Sequence, residues 1–91
     1  MMPLYYAIIK HFQTVDRDCA DGVIAALEPQ YGSYKLLNPK DVDEALATAR
    51  ENGLLEEVHC DLGTQGQLRI HYAMTEFGAD MTERYIGRYH N

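Results

Sequence analysis

The sequence predicts a single α+β domain, mostly helical, in which three helices are followed by a two-stranded β-hairpin and a C-terminal helix. Apolar residues recur at helical spacing in four segments of the chain. Apolar and polar residues alternate on both sides of a glycine-containing turn within residues 57–73, as expected for a hairpin. The chain has 91 residues, 46% hydrophobic and 24% charged, which is typical of one soluble domain covering residues 1–91.

The first two helices are predicted from their buried stripes. In PLYYAIIKHFQ, four residues follow the spacing i, i+3, i+4 and i+7 of one helix face: Tyr5, Ile8, Ile9 and Phe12. A second helix is expected to begin near Asp18, whose carboxylate suits an N-cap, and Pro29 is expected to stop or kink it. The buried stripe of this helix is predicted to contain Ala20, Val23, Ile24 and Leu27.

The third helix has the clearest signals, in NPKDVDEALATARENGLL. Asn38 suits the N-cap, and Pro39 suits the first helical position, where its missing N–H has no helical partner. Asp41 lies in the first turn, where a carboxylate interacts favourably with the helix dipole. Gly53 is expected to end the helix in the left-handed conformation. The predicted buried stripe consists of Val42, Ala45, Leu46 and Ala49.

One register of the hairpin separates its apolar from its polar residues. The inward face is then expected to hold the pairs Val58–Tyr72, Cys60–Ile70 and Leu62–Leu68. The outward face holds the pairs His59–His71 and Asp61–Arg69, and the two charges of the second pair are opposite. A shift by one residue would mix the two faces, so the pattern favours this register. Residues 63–67 are predicted to form the turn, with Gly66 available for positive φ.

The C-terminal helix is predicted to begin after Thr75, a suitable N-cap residue. At helical spacing, one stripe contains Phe77, Met81, Tyr85 and Tyr89. Ile86 falls outside this stripe.

Two segments carry a resemblance to a known architecture. ARENGLLEEV (residues 49–58) leads from the third helix through Gly-Leu-Leu into the hairpin. YAMTEFGADM (residues 72–81) leads from the hairpin into a helix at a Tyr-x-Leu-Thr-x-x-Gly step, with Met74 in place of the leucine. Together with the order of elements along nearly the whole chain, they make the sequence resemble a winged helix-turn-helix domain of the bacterial transcription-regulator type. The resemblance identifies an architecture and not one family.

The resemblance implies DNA binding. Helix 38–52 would then be the recognition helix that enters a major groove of double-stranded DNA, and the hairpin 57–73 would be the wing. Lys40, Thr48 and Arg50 would reach into or beside the groove. The residues expected to contact the DNA backbone are Lys35, Gln65, Gln67 and Arg69.

The distribution of charge favours a second interpretation. The net charge of the chain is −6, and residues 38–57 contain six acidic and two basic residues. The outward positions of the third helix include Asp43, Glu44 and Glu51, whereas proteins that bind DNA need positive charge against the phosphates. The alternative is therefore an acidic winged helix that binds a basic protein partner and does not bind DNA.

Two histidines, His59 and His71, face each other in the predicted register and are weak candidates for a metal site. Zinc sites take three or four protein ligands, and strand alternation places Cys60 on the opposite, inward face. We therefore predict no metal and no other cofactor. Because neighbouring residues of a strand point to opposite faces, His59 also cannot act as the general base for a Cys60 nucleophile. Since no other such pair and no glycine-rich phosphate loop occurs, the sequence indicates that the chain is not an enzyme.

Tyrosines are concentrated on the first and last helices. The chain contains seven tyrosines, and residues of this type are favoured in the cores of protein interfaces. The candidate homodimer interface consists of Tyr5, Tyr6, Tyr85, Ile86 and Tyr89. The alternative is that the two terminal helices cover each other within one monomer.

The sequence predicts a cytoplasmic protein without a membrane partner. No apolar run approaches the length of a membrane-spanning helix. The N-terminus MMPLYYAIIKHF lacks the basic region and the cleavage site of a signal peptide. The two cysteines match no zinc or thioredoxin spacing, and reduced thiols are the simplest interpretation.

Overall fold

Four α-helices and a β-hairpin make up residues 2–87, the part of the chain that the structure, a computed structural model, describes. In chain order they are α1 (Leu4–His11), α2 (Ala20–Tyr31), α3 (Pro39–Glu51), β1 (Leu55–Leu62), β2 (Leu68–Met74) and α4 (Glu76–Met81), which continues as a π-helical segment (Thr82–Ile86). About half of the chain is helical, and the predicted α+β fold and element order are confirmed.

The first three helices and the hairpin enclose one apolar core. The residues most completely buried in it include Met2, Ile9, Val23, Tyr31, Val42, Leu46 and Leu55. The other members of the predicted stripes are buried as well, except Tyr5, Ile24, Leu27 and Ala45, which are partly buried and pack against this core. The helical periodicities in the sequence therefore identify the correct faces of α1, α2 and α3.

The start of α2 differs from the prediction. Cys19, and not Asp18, occupies the N-cap position, and no side chain caps the helix. The Asp18 carboxylate instead accepts a hydrogen bond from the Cys19 N–H at 2.8 Å and lies 2.7 Å from Nε2 of His11. Asp18 therefore joins the end of α1 to the start of α2, a long-range role that its local sequence does not indicate.

Pro29, predicted to stop or kink α2, does not stop it. The helix continues to Tyr31, and Gly32 N–H still donates to Glu28 C=O at 2.9 Å. Tyr31 is fully buried, and its hydroxyl donates to the backbone C=O of Met2 at 2.5 Å. A proline removes one helical hydrogen bond, and we attribute the persistence of the last turn to the burial of Tyr31.

The third helix follows its prediction closely. Oδ1 of Asn38 accepts a hydrogen bond from the Asp41 N–H at 2.9 Å, and Pro39 begins the helix. Gly53 has a φ of 80°, in the left-handed region that glycine adopts without strain. Asp41 in the first turn and the apolar stripe are therefore positioned as the sequence indicates.

The predicted hairpin register is confirmed from His59 to Leu62. The observed pairs are His59–His71, Cys60–Ile70, Asp61–Arg69 and Leu62–Leu68. Gly66, in the turn, has a φ of 81°. Turn chemistry and the alternation of side chains are sufficient to define this half of the hairpin.

The predicted pairing of Val58 with Tyr72 is wrong, because a β-bulge lies between Glu57 and His59. Glu57 lies opposite Tyr72, and Val58 is exposed. A bulge inserts one residue into a strand, so the faces predicted for residues before it no longer follow from simple alternation.

The predicted inward face of the hairpin is only half buried. Tyr72 is buried and Ile70 packs at the rim of the core, but Leu62 and Leu68 are 67% and 64% exposed. Cys60, which the sequence places inside, is also exposed. The hairpin extends beyond the helices, so its outer half has no core to cover it.

A single residue adds a third strand position to the hairpin. Asp18 pairs with Tyr72 in an antiparallel bridge, with backbone N–H to C=O distances of 3.0 and 2.8 Å. The chain then turns into α2 at Ala20. β2 therefore has β1 along one edge and Asp18 at one point of the other.

The Thr-Glu-x-Gly step has a clear structural role. Oγ1 of Thr75 accepts a hydrogen bond from the Gly78 N–H at 2.8 Å and donates to the Gly53 C=O at 2.6 Å. The predicted N-cap is therefore confirmed, and the same hydroxyl joins α4 to the end of α3. Gly78 lies against the backbone of Leu54, since a Cβ on Gly78 would be 2.0 Å from the Leu54 carbonyl oxygen.

The core-facing stripe of the C-terminal helix contains Gly78, Thr82 and Ile86. Ile86 is 6% exposed and packs in the core of the monomer, and it also borders the groove lined by Tyr5, Tyr6 and Tyr85. Its place in a dimer interface stays a prediction. Phe77 and Tyr85, from the predicted stripe, are 53% and 54% exposed. Tyr89 lies outside the described residues.

The topology is winged-helix-like: three helices precede an antiparallel hairpin, and a helix follows it. The connector between α2 and α3 occupies residues 32–38. None of the helices within residues 2–87 is long and apolar enough to cross a membrane.

Candidate functional site

The exposed side of α3 is the surface that a recognition helix would present. Val42, Leu46 and Ala49 attach the helix to the core, and this orientation leaves the opposite side open. The exposed residues of α3 that the sequence assigns to partner contacts are Lys40, Asp43, Glu44, Thr48, Arg50 and Glu51. Three of these six are acidic, namely Asp43, Glu44 and Glu51, and all three are exposed on α3.

The charge of Arg50 is compensated at close range. Nε of Arg50 lies 2.6 Å from Oε2 of Glu57, which precedes the bulge in β1. Both side chains are about half exposed, so this ion pair contributes little to stability. It nevertheless places a carboxylate beside the cation that was expected to approach DNA.

The charge of Arg69 is also compensated, by two hydrogen bonds to one carboxylate. Its guanidinium donates two hydrogen bonds to the carboxylate of Asp61, from Nε at 2.9 Å and from Nη2 at 3.0 Å. Hydrogen bonding from Arg69, with a smaller contribution from His71, holds the pKa of Asp61 well below its ordinary value of 3.8. The paired Asp61 in turn raises the pKa of Arg69. This bidentate pair crosses the hairpin in the predicted register.

We expect Arg69→Ala to raise the pKa of Asp61 toward 3.8, because the main hydrogen-bond donor to the carboxylate is lost. In the native protein the depressed pKa means that the ion pair stabilises the hairpin above pH 3.8. This contribution is lost as the pH falls below 3.8 through the folded-state pKa. Carboxyl carbon NMR titration of Asp61 in the native protein and in Arg69→Ala measures the two pKa values.

Arg84→Ala, which removes the partner of Asp80 on the C-terminal helix, is the matched control and should leave the titration of Asp61 unchanged. An unchanged Asp61 titration in Arg69→Ala would contradict the assignment of Arg69 as the dominant cause.

The other residues expected to contact DNA lie in the connector, on α3 and in the hairpin turn. Lys35 is exposed in the connector before α3, and Lys40 is exposed in its first turn. Gln65 and Gln67 are exposed in the hairpin turn, where Oε1 of Gln67 accepts a hydrogen bond from the Gln65 N–H at 3.1 Å. The predicted basic surface is therefore two separate lysines and a pair of turn amides.

Asp21 is a member of this region that sequence reasoning missed. Burial, and secondly the nearby negative charge of Asp21, raise the pKa of Asp43. The two residues lie near the starts of α2 and α3 and line one groove with residues of β2. The position of Asp21 in a first turn was readable from the sequence, but its proximity to Asp43 depends on how the two helices pack.

The two candidate metal ligands are close, but they lack further ligands. The ring centroids of His59 and His71 are 5.3 Å apart, and Nε2 of His71 lies 3.3 Å from Oδ1 of Asp61. Asp61 is already bound by Arg69. Within residues 2–87, no group of three histidine, cysteine or carboxylate side chains could hold a metal ion.

The predicted dimer tyrosines line an apolar groove between α1 and the C-terminal helix. Its volume is about 240 Å³, and Tyr5, Tyr6 and Tyr85 line it with Leu54 and Met81. The hydroxyl of Tyr5 is buried and has no hydrogen-bond partner among residues 2–87. Tyr85, by contrast, is exposed. The structure therefore brings these three predicted residues onto one surface.

Comparisons with known proteins add no family to these observations. No family model matches the chain, and no curated protein and no solved structure is significantly similar to it. The winged-helix-like topology therefore rests on the arrangement of its own helices and hairpin.

Proposed function

We propose that the protein is a winged-helix interaction module whose acidic α3 surface binds a basic segment of a protein partner. We define the acidic α3 surface as Asp43, Glu44 and Glu51, all exposed on one helix. The observation that carries the proposal is the pairing of Arg50 with Glu57 and of Arg69 with Asp61. Both arginines expected to contact DNA have carboxylate partners. Within residues 2–87, the three carboxylates of the acidic α3 surface form no ion pair.

Electrostatics support a basic partner over a nucleic acid. DNA binding draws much of its affinity from lysine and arginine side chains that replace counterions along the phosphates. On and beside α3, Lys35 and Lys40 are the cations that have no acidic partner within residues 2–87. The net charge of −6 repels a polyanion and attracts a cationic segment at long range.

DNA binding is the second candidate, favoured by the exposure of the residues that this reading requires. Lys40 and Thr48 are exposed on α3, and Gln65 and Gln67 are exposed in the neighbouring turn. In a DNA-binding winged helix these positions contact the groove and the backbone.

The two functions are separated by fluorescence anisotropy with labelled octalysine and labelled random duplex DNA across a salt series. We expect octalysine to bind at low salt and its binding to weaken as the salt concentration increases. We expect no detectable binding of the duplex. Binding of the duplex with a steep salt dependence, together with no binding of octalysine, would instead establish DNA recognition. In that case Thr48→Ala and Arg50→Ala should weaken binding to the duplex.

A charge-matched pair of variants locates the octalysine site. Glu44→Gln combined with Glu51→Gln should weaken octalysine binding by about tenfold, since each exposed ion pair contributes at most about 1 kcal/mol. Glu28→Gln combined with Glu83→Gln changes the net charge equally at exposed sites on other helices and should have a small effect. Equal losses in the two variants would show that only net charge matters, and the acidic α3 surface would not be the site.

We further propose that the module is a homodimer formed through the tyrosine groove, defined as the surface lined by Tyr5, Tyr6 and Tyr85. The apolar lining of this groove and the exposure of Tyr85 beside it support this proposal. Exposed Phe77 and Tyr85 extend the apolar surface along the C-terminal helix.

Sedimentation at high micromolar concentration should show a concentration-dependent dimer. Tyr85→Glu should abolish it, because a carboxylate in an apolar interface has no partner. Leu36→Glu makes a matched change at an exposed apolar residue in the connector and should leave the dimer intact. A 10.4 kDa species alone at these concentrations would exclude the homodimer.

A further inference from the structure

The outer edge of β2 is paired at one residue and open beyond it. Tyr72 exchanges two backbone hydrogen bonds with Asp18 on this edge. In an antiparallel strand, alternate residues direct their N–H and C=O groups to the same edge. Ile70 and Leu68 therefore direct theirs outward, as Tyr72 does. Within residues 2–87, no backbone hydrogen bond covers either residue on that edge.

The inner edge of β2 gives the same assignment. The Gly63 N–H donates to the Gln67 C=O at 2.8 Å across the turn, so Gln67 is directed toward β1. The next residue, Leu68, must then be directed outward. The edge stays open because Ala20, which would continue the pairing of Asp18 along β2, begins α2. The chain thus leaves the sheet before it reaches the outer half of the strand.

A groove of about 340 Å³ lies along the open edge. Leu68 and Ile70 line its hairpin side, and Asp21 and Asp43 line its helical side. An extended chain advances about 3.3 Å per residue, so roughly three to five residues would pair with the outward groups of Leu68 and Ile70. The groove offers both the backbone groups and the space that an added strand requires.

The charge of this groove favours a cationic occupant. Neither Asp21 nor Asp43 forms an ion pair within 4 Å in residues 2–87, although the charge of Asp21 contributes to raising the pKa of Arg69. Arg69 also lines the groove, but its guanidinium is bound to Asp61 by two hydrogen bonds. Burial and the neighbouring Asp21 raise the pKa of Asp43, which agrees with two carboxylates held near each other.

We propose that this groove binds an extended basic segment of a partner protein, which adds a strand to the open edge of β2 and directs a lysine or arginine toward Asp21 and Asp43. In such strand addition, backbone hydrogen bonds supply affinity and alternate side chains supply specificity. The basic character of the partner rests on the proposed function. The site at the β2 edge and the extended conformation go beyond it, because the acidic α3 surface alone requires neither.

The probe is an acetylated and amidated pentapeptide, Arg-Val-Arg-Val-Arg, added to the full-length chain at up to roughly 1 mM, a range suited to weak binding. Amide hydrogen exchange is followed by NMR. We expect exchange at Leu68 and Ile70 to slow by more than about tenfold at saturation, because both amides become donors to the added strand. Binding of the peptide without protection of these two amides would overturn the proposal.

Two further peptides separate strand addition from simple attraction of charge. The same sequence with glutamate in place of arginine should not bind, and the arginine peptide N-methylated on alternate backbone nitrogens should lose both binding and amide protection. Equal binding of the glutamate peptide would overturn the basic specificity, and undiminished binding of the N-methylated peptide would overturn strand addition.

Two charge-matched single variants distinguish failure of this proposal from failure of the proposed function. Asp43 belongs to both the groove and the acidic α3 surface, whereas Asp21 belongs to the groove alone. Asp21→Asn should weaken binding of the arginine peptide by about fivefold, the most that one exposed ion pair contributes, whereas Glu44→Gln should leave it nearly unchanged. The opposite order, without protection of the β2 edge, would retain the acidic α3 surface and reject the groove. Loss of peptide binding in Asp21→Asn, with no loss of octalysine binding in Glu44→Gln combined with Glu51→Gln, would retain the groove and reject the acidic α3 surface.

Discussion

Gly78→Ala should destabilise the domain, although alanine is the better helix former. The added Cβ would lie 2.0 Å from the carbonyl oxygen of Leu54, a backbone atom that cannot rotate away. Overpacking of this kind typically costs about 1–3 kcal/mol. Alanine favours a helix over glycine by about 1 kcal/mol, but here the clash outweighs that gain, because α4 must move away from residue 54 to relieve it.

Thermal unfolding followed by circular dichroism measures the effect of Gly78→Ala. A loss of 1 kcal/mol lowers the Tm of a domain of this size by about 4–8 °C. Ala79→Gly, at the adjacent exposed position, is the control and should cost only about 1 kcal/mol through helix propensity. If Gly78→Ala were as stable as the native protein, the close contact of α4 with residue 54 would be wrong.

The features that the sequence predicts well act over a few residues. The Asn38 cap, the glycine after α3 and the Thr75 cap are local, since each hydrogen bond or backbone conformation involves residues at most a few positions apart. The register of the outer hairpin also depends on nearby residues, through the turn that contains Gly66. Local chemistry decides these features, so one sequence is sufficient to predict them.

The features that the sequence predicts poorly depend on distant partners. We attribute the extension of α2 beyond Pro29 to the burial of Tyr31 in the core. The bulge before His59 is not marked by the residues around it. The capping role expected of Asp18 is replaced by contacts with His11 and with the backbone of Tyr72. Neither partner is indicated by the residues around Asp18.

The candidate site shows the same division. Exposure of Glu44 and Glu51 follows from helical periodicity, and the sequence therefore predicts the acidic α3 surface. The ion pair of Arg50 with Glu57 joins a helix to a strand and could not be predicted, although it weakens the case for DNA. The groove at the β2 edge depends on where Ala20 leaves the sheet, a property of the assembled fold.

Tyr31→Ala should remove a large fraction of the stability of the domain. Tyr31 is fully buried, and its hydroxyl donates to the backbone C=O of Met2, which is itself buried. Replacing a large buried aromatic residue by alanine typically costs about 3–5 kcal/mol, compared with a total of about 5–15 kcal/mol for a small domain. The last turn of α2, which follows Pro29, should also lose its amide protection, because the side chain that anchors it is gone.

Two further substitutions resolve this effect into its parts, measured by urea denaturation and by amide exchange at Gly32. Tyr31→Phe keeps the ring but leaves the Met2 carbonyl without this donor, and it should cost about 1–2 kcal/mol. Tyr34→Ala is the matched control, because Tyr34 is 41% exposed and packs edge-on against Tyr31 at a centroid distance of 4.9 Å. It should cost about 1 kcal/mol. Equal losses from Tyr31→Ala and Tyr34→Ala would mean that Tyr31 does not anchor α2, and the continuation of the helix through Pro29 would then need another cause.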